Sequence, residues 1–343
     1  MTGISQAAAI GCGVIGAGWV ARFIENGIDV RVYDPASDLR RTLDGVLDNS
    51  RRAFSTLTDA PRRREGRVDV VDSISRAVDG ADLIVESVPE QLDVKRSVYS
   101  EIEMHARADA LMTSSTSGLL ATDLQAEMAS PERFLVAHSF NPVYLISLVE
   151  LVGGEKTDEA TIEQASQLFD SMGMVPLRVK KEIEGFIADR LLEAVWREAL
   201  WLVKDGIATT GEIDDAVRFG FGLRYAQMGI FDTYRMAGGT EGMRHFLAQF
   251  GPCLKWPWTK LMDVPEMNDD LIERIATQSD DQSGHLSISE MERLRDENLI
   301  AIIQGLKRND WGAGKTLALY EQRLSAEARI EQGRVHPDTK RVS

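Results

Sequence analysis

Residues 7–18 read Ala7-Ala8-Ala9-Ile10-Gly11-Cys12-Gly13-Val14-Ile15-Gly16-Ala17-Gly18. A short apolar run ends in Gly11-x-Gly13-x-x-Gly16 and passes into a stretch of helical character. This is the strand, loop and helix of a dinucleotide site. Gly11 permits a tight turn, Gly13 lets backbone approach a pyrophosphate, and Gly16 lets helix and strand pack closely. Free N–H groups at the helix start, from Val14 and Ile15 onward, face the anion, helped by the helix dipole. Val30-Arg31-Val32-Tyr33 reads as the second strand, and Asp34 closes it 18 residues beyond Gly16. A carboxylate there accepts a ribose 2′-hydroxyl and repels a 2′-phosphate, which points to NAD as cofactor. The competing reading is a glycine-rich turn with no ligand. Strand, loop, helix and acid in one register argue against it.

Outward from this unit, short apolar runs recur at Ala81–Val85, Ala110–Thr113, Phe134–Ala137, Leu148–Val152 and Val175–Val179. Each has strand length and is rich in Val, Ile and Leu, and stretches of helix length separate them. The expected class is α/β, with an N-terminal Rossmann-type, mostly parallel sheet. After Val179 the pattern changes. Lys180–Gly185 is a charged connection, and Ile187, Leu191, Val195, Ala199 and Leu202 then recur at helical spacing. Thr209-x-x-Glu212 has the spacing of a capping box. The expected organisation is a cofactor-binding domain over 1–182, an all-helical second domain over 183–325, and a flexible tail over 326–343.

The 343 residues include 39 Lys and Arg against 54 Asp and Glu, a net charge of −15. So acidic a chain lacks the basic footprint that nucleic acid or an anionic membrane requires. The excess reads as solubility, with steering of a cationic ligand as the sharper alternative. Cys12 and Cys253 fit no zinc or redox spacing, so no metal is expected and a reducing compartment suits them. The longest uncharged, mostly apolar stretch, Ala7–Ala21, is too short to span a membrane. Met1–Gln6 carries no basic leader segment. A cytoplasmic protein is expected.

Three side chains stand out chemically. His138 ends the Phe134–Ala137 run, at the strand end where α/β folds bind ligands. Glu150 lies 12 residues on, inside the apolar run Leu148–Val152. A carboxylate there is costly unless paired, and a histidine is a natural partner. The two form either a general base with its orienter or a purely structural pair. Ser117 closes the hydroxyl-rich Thr113–Ser117 segment, where it binds a polar ligand or caps the next helix.

Together these residues resemble the 3-hydroxyacyl-CoA dehydrogenase family over about residues 7–325. The resemblance is carried by the glycine loop, Val88-Pro89-Glu90, Ser114-Ser115-Thr116-Ser117, His138-Ser139-Phe140-Asn141-Pro142, Glu150 and Gly185-Phe186-Ile187-Ala188-Asp189-Arg190. It implies NAD-dependent hydride transfer with His138 and Glu150 as the catalytic pair and Ser117 holding the reacting oxygen. It also implies that Glu90 and Lys95 lie along the cofactor and that Asn141 lies near the nicotinamide. A homodimer through the helical, substrate-binding domain is a further implication. Two features depart from the family's acyl-CoA members. Only 48 positions separate Asp34 from Asp82, which leaves no room for the longer helical insertion that clasps coenzyme A. Asp189 stands where coenzyme A and sugar-acid members carry asparagine.

Both departures favour a small cationic substrate. Longer segments, among them Ser115–Leu120, Trp196–Leu200, Ala208–Ala216 and Gly242–Gly251, resemble members that act on a small zwitterion. Such a substrate bears a quaternary ammonium, a secondary hydroxyl and a carboxylate. On a helix, Asp189, Glu193 and Trp196 share one face at i, i+4 and i+7. Two carboxylates and an indole suit a trimethylammonium group, which donates no ordinary hydrogen bond. Phe140 and Phe250 are further candidate walls, Tyr225, Trp256 and Trp258 weaker ones, and Arg224 a candidate for the carboxylate. The competing reading pairs Asp189 and Glu193 with Arg190, Arg197 or Lys side chains. Two other functions stay open: a dehydrogenase of another small 3-hydroxy acid, of gulonate or 3-hydroxybutyrate type, and a non-catalytic NAD-binding structural protein. Retention of Ser117, His138 and Glu150 together argues against the latter. Cys12 lies within the phosphate loop, so thiol reagents are expected to block the cofactor.

Overall fold

A computed structural model describes residues 3–226, 229–237, 240, 242–250, 259, 266, 268–283 and 285–334. The chain forms two compact units: Met1–Ile187 together with Asp296–Ser343, and Ala188–Arg295. The first unit holds eight strands: β1 (Gln6–Ile10), β2 (Asp29–Tyr33), β3 (Val68–Val70), β4 (Leu83–Glu86), β5 (Leu111–Ser114), β6 (Phe134–Ser139), β7 (Leu148–Gly153) and β8 (Val175–Arg178). They form one sheet in the order β3-β2-β1-β4-β5-β6-β7-β8. The first six strands are parallel and have the doubly wound dinucleotide order. β7 then runs antiparallel to β6, and β8 parallel to β7. All seven expected strands are present, and β3 is an eighth.

Helices α1 (Val14–Glu25), α2 (Leu39–Leu57), α3 (Ile74–Val78), α4 (Leu92–His105), α5 (Ala121–Gln125) and α6 (Glu159–Ser171) connect the strands. The pleat sorts residues between two cores. Ala7, Ala9, Leu135 and Ala137 enter one, and Ala8, Ile10, Phe134 and Val136 the other. Burial on both faces is why these strands read as continuous apolar runs rather than as alternation.

Among its described residues the second unit holds helices and turns but no strand. It comprises α7 (Ala188–Lys204), α8 (Thr210–Ala216), α9 (Gly222–Tyr225), α10 (Ile230–Ala237), α11 (Gly242–Phe250) and α12 (Asp269–Ser283). A π-helical turn, Val217–Phe221, joins α8 to α9. The expected capping box starts α8: the Thr209 hydroxyl accepts the Glu212 amide, and the Glu212 carboxylate accepts the Thr209 amide at 2.8 Å.

The last two helices are α13 (Ile288–Lys307) and α14 (Gly312–Arg334). Here the structure differs from the sequence reading. The helical domain was expected to continue to residue 325, yet the described residues from Asp296 to Arg334 belong to the first unit. Ile300, Ile303 and Leu317 join the core on one sheet face. Residues 326–334, expected within a flexible tail, continue α14, and Arg63 donates to both Glu327 oxygens at 2.7 Å. Helical spacing reveals that a helix has a buried face, not what covers it. Leu317 is 6% exposed, so Leu317→Ala is expected to destabilise the first unit by about 2–5 kcal/mol. Urea unfolding followed by strand-amide protection checks this.

Candidate active site

The glycine loop lies where the strand order reverses, between β1 and β4. Gly11 has φ +87°, and a Cβ there would stand 2.6 Å from the Ser87 carbonyl group, so only glycine fits. A Cβ on Gly16 would stand 2.0 Å from the Gly11 oxygen, which is the close helix–strand approach the motif requires. Gly13 caps α1, and nothing lies within 4 Å of its Cβ position. The first-turn amides of α1 have no partner within the helix, and no acid stands in that turn. Asp34 accepts the Cys12 amide at 2.6 Å on one oxygen and the Ala36 amide at 2.7 Å on the other. Open backbone donors beside an anchored carboxylate fit NAD.

The reversal of β7 brings His138 and Glu150 together. In the β6–β7 ladder His138 stands directly opposite Glu150, with both side chains on one face. His138 is 3% exposed and Glu150 fully buried. The His138 Nδ1 to Glu150 Oε2 distance is 2.9 Å. The other oxygen, Oε1, accepts the Ile187 amide at 3.0 Å. An ionised carboxylate only accepts, so opposite ionised Glu150 the ring proton belongs on Nδ1.

Phe140 meets the His138 ring edge-on at 4.7 Å, and Phe186 packs on it at 5.4 Å. Phe186 is fully buried with φ +48°, directly after Gly185 at +71°. This left-handed pair turns the chain so that the next amide, that of Ile187, meets Glu150. A phenylalanine in that conformation costs on the order of 1–3 kcal/mol and persists because its surroundings determine it. Its contact with His138 was not evident in the sequence, where only the Gly185-Phe186 pattern marked it.

Ser117 follows β5 on an exposed loop. Its amide and that of Gly118 donate to Glu90 Oε1 at 3.0 and 3.3 Å, and the Thr116 hydroxyl donates to the same oxygen. Burial raises the Glu90 pKa, but the Thr116 hydroxyl, the Lys95 charge and the Ser117 amide together hold it below the usual range. Asn141, exposed, follows β6. Glu90, Ser117, His138 and Asn141 thus gather at the carboxyl ends of the neighbouring strands β4, β5 and β6.

The proposed substrate residues fall in both units, Phe140 in the first and Asp189, Glu193 and Trp196 on α7 in the second. Glu193 is 3.6 Å from Arg197, one turn along α7, as the competing reading had it. Trp196 is 52% exposed and lines a groove with Leu192, Val195 and Ile213. Arg224 and Tyr225 belong to α9, where Tyr225 meets Phe221 at 5.5 Å. The side chain of Phe250, and all of Trp256 and Trp258, lie outside the described residues.

Cys12 overturns the expectation of thiol sensitivity. It is 3% exposed, and burial, aided by the Asp34 charge, pushes its pKa up to about 12. A buried thiol that stays protonated is a poor nucleophile. Iodoacetamide near neutral pH is therefore expected to leave Cys12 unmodified in the native protein and to label it after denaturation. Peptide mass spectrometry reads both.

Residues 6–183 match the NAD binding domain of 3-hydroxyacyl-CoA dehydrogenase, and residues 185–266 match its C-terminal domain. A protein of Mesorhizobium japonicum named L-carnitine dehydrogenase is 55% identical over 330 residues, covering 95% of this chain and 91% of its own. One so named from Pseudomonas aeruginosa is 50% identical over 307 residues, covering 90% and 95%. Among solved structures, 5-formyl-3-hydroxy-2-methylpyridine 4-carboxylic acid 5-dehydrogenase, an NAD+-dependent dismutase, matches with a TM-score of 0.75 and 29% identity, over 88% of this chain and 98% of that one. With a glycine loop built for NAD, the chain is an NAD-dependent oxidoreductase that belongs to the 3-hydroxyacyl-CoA dehydrogenase family.

Proposed function

We propose that this enzyme oxidises the 3-hydroxyl of L-carnitine to 3-dehydrocarnitine. The observation that carries the substrate assignment is the likeness, at 50–55% identity over nine-tenths or more of the chain, to proteins named for that reaction. The buried His138–Glu150 pair supports the chemistry. NAD supplies the hydride acceptor. Nε2 of His138 takes the hydroxyl proton as the carbinol carbon is oxidised. Glu150, bound to Nδ1, stabilises the imidazolium and holds the ring. The Ser117 hydroxyl donates to the oxygen as it becomes a ketone. Asp189, Glu193 and Trp196, with Phe140 and Phe250, form the cage for the trimethylammonium group.

The working form is a cytoplasmic homodimer joined through the helical unit. On α7, Leu191, Leu192 and Val195 are 51%, 58% and 46% exposed. Beside them is a groove of about 500 Å³, lined by Val195, Ala199, Leu202, Ile207 and Ile213. A second copy would cover this apolar face. Among the described residues, no helix is long and apolar enough to cross a membrane.

The deciding experiment measures NADH absorbance with L-carnitine, L-gulonate and 3-hydroxybutyryl-CoA in parallel. A rise with L-carnitine is expected. A rise with another alcohol alone would move the substrate assignment, and no rise with any would favour a structural role. In the same assay His138→Ala is expected to lower kcat on the order of a hundredfold or more. Near-normal turnover would remove His138 as the base.

A further inference from the structure

Among the described residues one lysine and one arginine are buried, and their surroundings differ. Lys95, on α4 and 1% exposed, lies 2.8 Å from Glu86, itself fully buried, and 3.3 Å from Glu90. Arg22, on α1 and 4% exposed, forms no ion pair with any described residue. Its Nε and Nη2 donate to the Val143 carbonyl, and Nη2 also to that of Ile146. The Phe54 ring centre lies 5.9 Å from the guanidinium carbon. Nη1 has no hydrogen-bond partner among the described residues, so two of the five N–H groups of an arginine are left over.

The neighbouring acids are engaged elsewhere. Glu25 accepts Arg62 on both oxygens, at 2.8 and 2.5 Å, and Glu327 of α14 accepts Arg63 at 2.7 Å. Asp296 accepts the Tyr144 hydroxyl at 2.6 Å. Asn26 joins the groups: its oxygen accepts Arg63 at 2.5 Å and the Tyr320 hydroxyl at 3.1 Å, and its amide donates to the Arg22 carbonyl at 2.9 Å. Arg22, Arg62 and Arg63 thus stand against Glu25 and Glu327, and the most buried of the three cations is the one without a carboxylate. Beside Arg22 is a cavity of about 30 Å³, lined from α1, α2, α13 and α14 and by Tyr144 and Ser147. Of the hydroxyls around it, those of Tyr144 and Tyr320 donate to Asp296 and Asn26. Those of Ser147 and Thr316 make no hydrogen bond among the described residues. A water needs roughly 10–15 Å³, so the cavity takes one or two waters or a single halide ion and is too small for a phosphate.

We infer that this cavity is a binding site for a small monovalent anion of halide size, held by Nη1 of Arg22 and the hydroxyls of Ser147 and Thr316. Water in the cavity would satisfy these donors but not the charge. A buried cation without a counter-charge is costly, and one anion beside Arg22 balances the three guanidiniums against the two carboxylates. The same ion ties α14, through Thr316, to α1, through Arg22. Arg22 in turn holds the Val143 and Ile146 carbonyls between β6 and β7, so the ion stabilises the return of the chain and that connection together.

Thermal unfolding of the full chain tests this, with sodium methanesulfonate replaced stepwise by sodium chloride at constant ionic strength. Methanesulfonate is too large for the cavity. Chloride is expected to raise the unfolding midpoint by about 2–4 °C, and saturably, as a ligand of the folded state does. Bromide, close to chloride in size, is expected to act alike. Ser147→Ala combined with Thr316→Val leaves the bonds from Arg22 to the carbonyls in place and is expected to lose the chloride increment. Equal midpoints in the two salts would leave the cavity to water and overturn the inference. An undiminished increment in the double variant would put the chloride elsewhere and overturn it too. Crystals of the wild-type chain grown in bromide give a reading independent of stability: an anomalous peak beside Arg22 Nη1 is expected, and water alone there would overturn the site. If the double variant does not fold, that peak decides. No substrate is needed, so the result stands apart from the outcome with L-carnitine.

Discussion

Glu150 sits fully buried in β7, where a carboxylate is tolerable only with its lone pairs occupied. The way it is occupied sets the geometry of the site. One oxygen holds His138 across the ladder, and the other holds the amide of Ile187, the last residue before the helical unit. Neither bond is possible without the antiparallel turn of β7. In that ladder the paired residue numbers have a constant sum, so Leu135 opposite Gly153 forces His138 opposite Glu150. The 12-residue spacing is thus the signature of a symmetric return of the chain. A one-residue slip would send the two side chains to opposite faces. Loss of the carboxylate would free both the ring tautomer and the turn at Gly185-Phe186.

The segment that makes this return is itself tied to the cofactor helix. Arg22, on α1 and 4% exposed, donates to the Val143 carbonyl at 2.8 and 3.1 Å and to that of Ile146 at 3.3 Å. Burial lowers its pKa to about 10, against the raising effect of Tyr320 and Glu25, and it remains a cation at neutral pH. At Gly18, on the same helix, a Cβ would stand 2.9 Å from Val143 Cγ2. One helix therefore presents its first-turn amides to the cofactor and braces the connection between β6 and β7. The position of His138 relative to the glycine loop follows from the rigidity of α1, not from loops alone.

Much of this was legible in the residues. The glycine loop, Asp34 and the seven longer strands all carry local signals; β1, β4, β5 and β6 in particular are buried on both faces and so are near-continuous apolar runs. β3 is only three residues long, too short for any period to declare itself. The reversal of β7 was not legible either, since its composition matches that of its parallel neighbours. The return of the chain at Asp296 escaped for a related reason: the spacing of Ile300 and Ile303 gives a helix a buried face without naming its partner. Glu86 is the instructive omission. It ends the run Leu83-Ile84-Val85, so it carries the same signal, an acid on a buried strand, that singled out Glu150.

The placement of these acids also explains how a chain of net charge −15 suits an anionic cofactor. Screening limits exposed charges to a reach of about 8–10 Å, so the groups lining the loops decide. The two acids nearest the cofactor loops are each occupied by backbone amides: Asp34 by Cys12 and Ala36, and Glu90 by Ser117 and Gly118. Each carboxylate thereby orders the loop it borders and presents less uncompensated charge. The buried cations behave correspondingly. Arg22 is directed to carbonyls, and Lys95 to a carbonyl and two carboxylates. The attraction for phosphate is left to the open amides at the start of α1, whose first turn carries no acid. Cofactor affinity should therefore depend on loop geometry more than on the charge of the chain as a whole.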